Sequence, residues 1–234
     1  MQAPEDPDRD TQTSVGETPV VIDVRDLRRD EISAAVALLS RGMRDNPLNI
    51  AAYGADAQRR QRALERMFAT LFRVFRAQRP LCALDGETLV AVGGVAPAGT
   101  CQATARQRVS FLPAMAAIGP RSAQRVSRWL AAWGERDPAR AHSHLGPVAV
   151  EPALRGRGIG SELMREYTRQ LDDTGQLSYL ETDKRENVTF YERRGYALVA
   201  QAEVIGVPNW FMIREPRAAK STSRAPCAAR NRRI

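Results

Sequence analysis

Residues 145–164 read Leu-Gly-Pro-Val-Ala-Val-Glu-Pro-Ala-Leu-Arg-Gly-Arg-Gly-Ile-Gly-Ser-Glu-Leu-Met and constrain the fold more than any other stretch. An apolar run ends at Glu151-Pro152, and Arg155-Gly156-Arg157-Gly158-Ile159-Gly160 follows. From Ser161 to Thr174, Leu163, Met164, Tyr167 and Leu171 fall on one helical face, and Gly175 can end the helix. A Gly-rich turn thus lies between a strand and a helix N-terminus. Amides at that point have no intrahelical partner and sit at the positive end of the helix dipole. Glycine lets the backbone close on an anion without side-chain obstruction. The pattern predicts a pyrophosphate cradle over Arg155, Gly156, Arg157, Gly158, Ile159, Gly160 and Ser161.

Several readings compete for such a turn, an ordinary glycine-rich turn among them. A Walker loop needs Gly-Lys-Ser/Thr at its end, and this chain has Gly-Ile-Gly-Ser. A dinucleotide fingerprint would put its third Gly at Ser161, and the run sits late in the chain. A third pattern, Arg/Gln-x-x-Gly-x-Gly, is filled by Arg155, Gly158 and Gly160. It resembles the acetyl-CoA loop of the GNAT superfamily of N-acetyltransferases. A second block, residues 179–196, reads Tyr-Leu-Glu-Thr-Asp-Lys-Arg-Glu-Asn-Val-Thr-Phe-Tyr-Glu-Arg-Arg-Gly-Tyr. It is similar to the strand, Asn and Phe-Tyr-Glu-x-x-Gly-Tyr run of the same superfamily, in the same order and spacing. The resemblance covers roughly residues 18–215, with its specific motifs in 144–196.

The resemblance implies an α+β fold: a mixed, mostly antiparallel sheet flanked by helices; the helical patterns within 102–140 read as an insertion between strands 3 and 4, a departure from the smallest members of the superfamily. It implies acetyl-CoA as co-substrate and direct attack by an amine in a ternary complex. Val148, Ala149 and Val150 would offer backbone groups to the pantetheine arm where the fourth strand splays from the fifth. The amide near Val148 would polarise the thioester carbonyl. Asn187 matches the residue that bonds the pantetheine arm, and Tyr191 the one whose hydroxyl faces the CoA sulfur. A core aromatic with a satisfied hydroxyl is the plainer role for Tyr191. The general base stays open. His144 stands where histone-modifying members carry a glutamate, and an imidazole near its ordinary pKa of about 6.5 can take a proton. Glu181, at the end of the fifth strand, is the rival. His142 falls on the same strand side as His144, but two histidines without further ligands make a poor metal site, so no metal is expected.

The remaining elements read coarsely. Residues 20–24 suit a first strand, and Asp30 can cap a helix with Ile32, Ala35, Val36 and Leu39 on its face. Leu64, Met67, Phe68, Leu71, Phe72 and Phe75 form the stripe of a second helix. Residues 81–84 and 88–95 are strands joined by the turn signal Asp85-Gly86. Gly119-Pro120 divides two helical patterns in 102–140, the second capped by Ser122 with Val126, Trp129, Leu130 and Trp133 on one face. Strands are expected at 144–150, 177–181, 197–204 and 210–214, the last two separated by residues 206–209, and a short helix at 187–194.

The chain has 234 residues and a net charge of +8, enough for one core with extensions. Residues 1–17 form an expected disordered acidic tail, 18–216 the acetyltransferase domain, and 217–234 a disordered basic tail with six Lys or Arg and no acidic residue. The basic tail has no interleaved aromatics for base stacking, so nucleic acid is not the expected partner. Three scattered cysteines, no apolar signal core and no long apolar run point to a cytoplasmic chain without a membrane span. The expected partners are acetyl-CoA and a small-molecule amine, for a monomer or homodimer. The alternatives are a CoA-binding sensor or interaction module without turnover, and an O-acyltransferase.

Overall fold

The structure, a computed structural model, describes residues 22–217. Val20, Val21 and both expected tails, apart from Arg217, lie outside the described residues. The strands are β1 (Ile22–Asp26), β2 (Leu81–Asp85), β3 (Thr88–Ala96), β4 (Ser143–Val150), β5 (Ser178–Thr182), β6 (Ala197–Val204) and β7 (Val207–Arg214). They form one sheet in the order β1-β2-β3-β4-β5-β7-β6. Every neighbouring pair is antiparallel except β4 with β5. This is the mixed, mostly antiparallel α+β sheet that the resemblance implied.

Seven helices accompany the sheet among the described residues: α1 (Ile32–Met43), α2 (Pro47–Tyr53), α3 (Ala57–Val74), α4 (Ala105–Ala117), α5 (Pro120–Gly134), α6 (Ile159–Thr174) and α7 (Arg185–Glu192). Two apolar layers sandwich the first four strands. On one face Leu163, Met164, Tyr167 and Leu171 of α6 pack with Leu81, Ala83, Ala91 and Leu145. On the other, Ala35, Leu38 and Leu39 of α1 and Leu64, Phe68 and Phe72 of α3 pack with Val92 and Ala149. The alternation of Ala91 and Val92 between the layers is the period-two rule of a strand buried on both faces. A third cluster joins Leu48 to Tyr179, Val204, Val207 and Phe211 under the second half of the sheet.

Several local expectations are corrected. Asp30 does not cap α1: a 3-10 turn, Arg29–Glu31, precedes it, and Glu31 accepts the Arg28 N–H at 2.8 Å while pairing with Arg25 at 2.6 Å. Helix α2 has only seven residues, too few to show a period. Helix α3 starts from Asp56, whose carboxylate accepts the N–H groups of Gln58 and Arg59. It ends at Val74, so Phe75 leaves the stripe and packs beside Phe111, 6.0 Å between ring centres. Gly119, not Ser122, caps α5; Ser122 is buried inside the helix. Leu130 is 55% exposed because it lies one residue, about 100° of helix, past inward-turned Trp129.

Strand β7 starts three residues early, at Val207, after a tight Ile205-Gly206 turn with φ 47° and 82°. Pairing with β5 reaches only Thr182↔Trp210, so Pro208 meets β6 alone and its missing N–H costs no ladder bond.

Candidate active site

Strands β4 and β5 pair only at Ser143↔Ser178 and His144↔Tyr179. A buried hydroxyl chain pins that junction: Ser143 Oγ to Tyr167 OH at 2.9 Å, on to Ser178 Oγ at 2.9 Å and Tyr196 OH at 2.8 Å. From Leu145 onward β4 bonds β3 alone, with Val148 opposite Gly93, Ala149 opposite Val92 and Val150 opposite Ala91. The ladder shifts between Gly93 and Val95, where a side chain on Gly94 would strike the Gly146 carbonyl at 2.6 Å. The edge of Val148–Val150 away from β3 is thus open to an extended ligand, which can bond it as an added strand would. The three serine and tyrosine hydroxyls beyond Tyr196 that hold this junction carry no motif in the sequence. They become visible only when the strands are placed side by side.

The glycine turn closes the far end of β4. Gly156 and Gly158 both have φ 83°, a conformation that side chains rarely adopt. Gly158 caps α6, which begins at Ile159, two residues earlier than Ser161. The leading amides, those of Ile159 and Gly160, point with the dipole toward the exposed turn. Gly160 lies under Val150 and Phe190, where a Cβ would come within 3.4 Å of Val150 Cγ2.

Three expected cradle residues act otherwise through their side chains. Ile159 is 3% exposed and belongs to the core, so only its backbone is offered. The Ser161 N–H donates to the Gly158 carbonyl at 2.8 Å, and its hydroxyl accepts from Arg194 at 2.6 Å. Arg155 donates through Nη2 to the Gly42 carbonyl, tying the turn to α1.

Helix α7 lies on the other side of the gap. Asn187 is oriented by its amide N–H, which donates to Thr182 Oγ1 at 3.1 Å, leaving the amide oxygen as an acceptor. Tyr191 packs its ring against Phe190 and Tyr196 within the same core cluster as Leu145. Its hydroxyl has no hydrogen-bond partner among the described residues. Burial pushes its pKa up to about 12, against a smaller lowering by Arg194, so the phenol keeps its proton.

His144 and Glu181, expected as rivals, are hydrogen-bonded partners: His144 Nε2 meets Glu181 Oε2 at 2.8 Å. Parallel pairing sets His144 beside Tyr179, which puts Glu181 two residues on along the same face of β5. Burial opposes the imidazolium, but Glu181 and then Cys101 outweigh it and raise the His144 pKa to about 10. The expectation of an imidazole near its ordinary value therefore does not hold. His142 is buried and bonds Arg140. Cys101 and Asp137, from the two ends of the α4–α5 segment, complete a cluster with both histidines. Nothing in the sequence spacing marked these two.

With this geometry in place, comparisons with known proteins are specific. A sequence model of the acetyltransferase (GNAT) family matches residues 51–196. A Corynebacterium glutamicum structure described as histone acetyltransferase HPA2 and related acetyltransferase superimposes with a TM-score of 0.63 at 17% identity, covering 85% of this chain and 98% of that one. Drosophila melanogaster polyamine N-acetyltransferase, described as catalysing formation of N-acetylagmatine, gives 0.56 at 16% identity over 83% of this chain and 100% of its own. The ribosomal-protein-S18-alanine N-acetyltransferase of Escherichia coli gives 0.50 at 12% identity, over 86% and 98%.

Proposed function

The chain belongs to the acetyltransferase (GNAT) family, and from that premise we propose that it transfers the acetyl group of acetyl-CoA to a small-molecule amine by direct attack in a ternary complex. The observation that carries this reading is the divergence of β4 from β5 directly after His144, with the α6 turn after β4 and Tyr191 in the core cluster against which Val148 and Val150 pack. The pyrophosphate lies on the amides of Gly158, Ile159 and Gly160. The pantetheine arm runs along Val148–Val150 and is met by the Asn187 amide oxygen. A backbone N–H of that strand edge receives the thioester oxygen as charge develops on it. The amine nitrogen attacks the carbonyl carbon, the C–S bond breaks, and the Tyr191 hydroxyl gives its proton to the departing thiolate.

Glu181 takes the His144 Nε2 and the other ring nitrogen is left to the Cys101 side, so the imidazole has no nitrogen free to act as a base on the amine. We assign the amine's proton to water at the open edge, and assign to the pair the positioning of the strand end from which the acetyl-binding edge departs. His144→Ala and Glu181→Gln are then each expected to lower kcat a few-fold, with the double variant no worse, because they act as one unit. A loss of about 100-fold or more in either single variant returns the base role to that residue.

The test is thiol release from acetyl-CoA against a panel of acceptors. Agmatine and polyamines head it because proteins of this fold act on them, and hydroxyl compounds are included. Acetyl-CoA binding without release over the whole panel makes the chain a CoA-binding module. Release only with hydroxyl acceptors makes it an O-acyltransferase.

A further inference from the structure

We propose that Cys101, Asp137, His142 and His144 form a binding site for one divalent transition-metal ion, zinc by its ligand set. The four come from three places in the chain: the loop after β3, the loop after α5, and the start of β4. Their ligand atoms all lie within 4.8 Å of one another. Cys101 Sγ is 3.4 Å from Asp137 Oδ2 and 3.6 Å from His142 Nε2, and His142 Nε2 is 3.0 Å from Asp137 Oδ1. A tetrahedral ion with bonds of about 2.0–2.3 Å needs ligand atoms roughly 3.3–3.6 Å apart. One thiolate, two imidazoles and one carboxylate are ligand types that zinc takes.

The hydrogen bonds point the same way. The Arg140 carbonyl can only accept, so His142 carries its proton on Nδ1 and donates it there at 2.8 Å. In the neutral imidazole Nε2 then presents a lone pair, and it faces Asp137 Oδ1, a second lone-pair atom, at 3.0 Å. Asp137 Oδ1 is buried and has no hydrogen-bond partner. Two buried acceptors this close need a positive charge between them, a second proton on the imidazole or a bound cation, and the Cys101 sulfur and His144 alongside supply the further ligands that a metal ion takes. His144 repeats the arrangement: its Nε2 is taken by Glu181, whose side chain is 3% exposed, which leaves Nδ1 as the nitrogen for the cluster. Each imidazole thus gives one N–H to a carbonyl or carboxylate and keeps the other nitrogen for a ligand bond, the outer-shell pattern of metal-bound histidines. Gln102 steadies the remaining carboxylate oxygen, donating to Asp137 Oδ2 at 2.6 Å.

Four protein ligands fill a tetrahedral shell, so the ion acts structurally and takes no part in the transfer. It clamps both ends of the segment carrying α4 and α5 to the strand junction from which the proposed acetyl-CoA edge departs.

The experiment uses the full chain without a histidine tag. After equilibration with equimolar zinc and removal of unbound metal, one zinc per chain is expected, together with a raised thermal midpoint. Cobalt(II) titration is expected to give visible bands of a tetrahedral site plus a near-ultraviolet thiolate-to-cobalt band. Cys101→Ser is expected to lose the thiolate band, and Cys101→Ser and His142→Asn each to weaken zinc binding more than about tenfold. Near-ultraviolet circular dichroism checks that each variant is folded, and Asp137→Asn replaces any that is not. Less than a tenth of a zinc per wild-type chain overturns the proposal. So does cobalt binding whose spectrum is the same in wild type and in a folded Cys101→Ser chain.

Discussion

The Tyr191 hydroxyl is the group whose removal separates chemistry from packing. Its ring fills core space between Phe190 and Tyr196, while its oxygen is unpartnered among the described residues and stays protonated. Tyr191→Phe keeps the ring, so acetyl-CoA affinity and thermal stability are expected to hold while kcat falls on the order of 100-fold, measured where chemistry limits turnover. An unchanged kcat reduces Tyr191 to a packing residue. The sequence marks Tyr191 and Asn187 as candidates because both sit in one short run that the structure folds as a single helix. The link between His144 and Glu181 was not, since 37 residues separate them and only the parallel pairing of β4 and β5 brings them together. Cys101 and Asp137 were harder still, each a single residue in a loop with no period to mark it.

At the scale of elements, the turn before α6 does two things with one backbone shape. Its positive φ at Gly156 and Gly158 lets the chain reverse at the end of β4, and the same shape presents the first amides of α6 to solvent. Gly158 has open space around its Cβ position, so a substitution there meets strain rather than collision. Gly158→Ala is expected to cost roughly 1–2 kcal/mol of stability and to weaken acetyl-CoA binding by the same route. Gly158→Glu adds a like charge near the pyrophosphate and should weaken binding at least about tenfold more, a further 1.4 kcal/mol or so. Calorimetry on folded variants reads both, and equal affinities for the two variants remove the phosphate from this turn. Elements with a strong local signature, the β2–β3 hairpin, α6 and α7, were readable to within about two residues. Those set by partners were not: the start of β7 depends on its pairing with β6, which runs three residues past the last β5 pair, and the entry to α1 on the Arg25–Glu31 pair.

At the scale of the molecule, a sheet that splays at its centre must be held together elsewhere, and Arg214 is one of the ties. It is 2% exposed at the end of β7 and forks onto both oxygens of Asp172 on α6, at 2.8 Å each, while bonding the Arg194 carbonyl. The tie joins the strands beyond the splay to the helix that covers the strands before it. The Arg214 hydrogen bonds lower the Asp172 pKa, against partial burial, with help from the Arg217 N–H. A carboxylate depressed in the folded state adds stability that is complete above the unfolded value, about 3.9, and is lost as pH falls through the lower folded value. Glu31 and Asp45, each held down at about 2 by neighbouring arginines, act in the same direction, so the whole chain should be stable near neutral pH and weaken below about pH 4. Asp172→Asn isolates one contribution. It leaves a buried guanidinium without its counter-charge, and because Asp172 is itself 26% exposed the cost at pH 7 should be on the order of 2 kcal/mol, under the range for a fully buried pair. Urea unfolding at pH 7 and pH 3 measures it: the gap between wild type and variant is expected to narrow at pH 3, where Asp172 begins to protonate in the wild type. A gap that stays constant between the two would mean that Asp172 contributes through the shape of its hydrogen bonds and not through its charge.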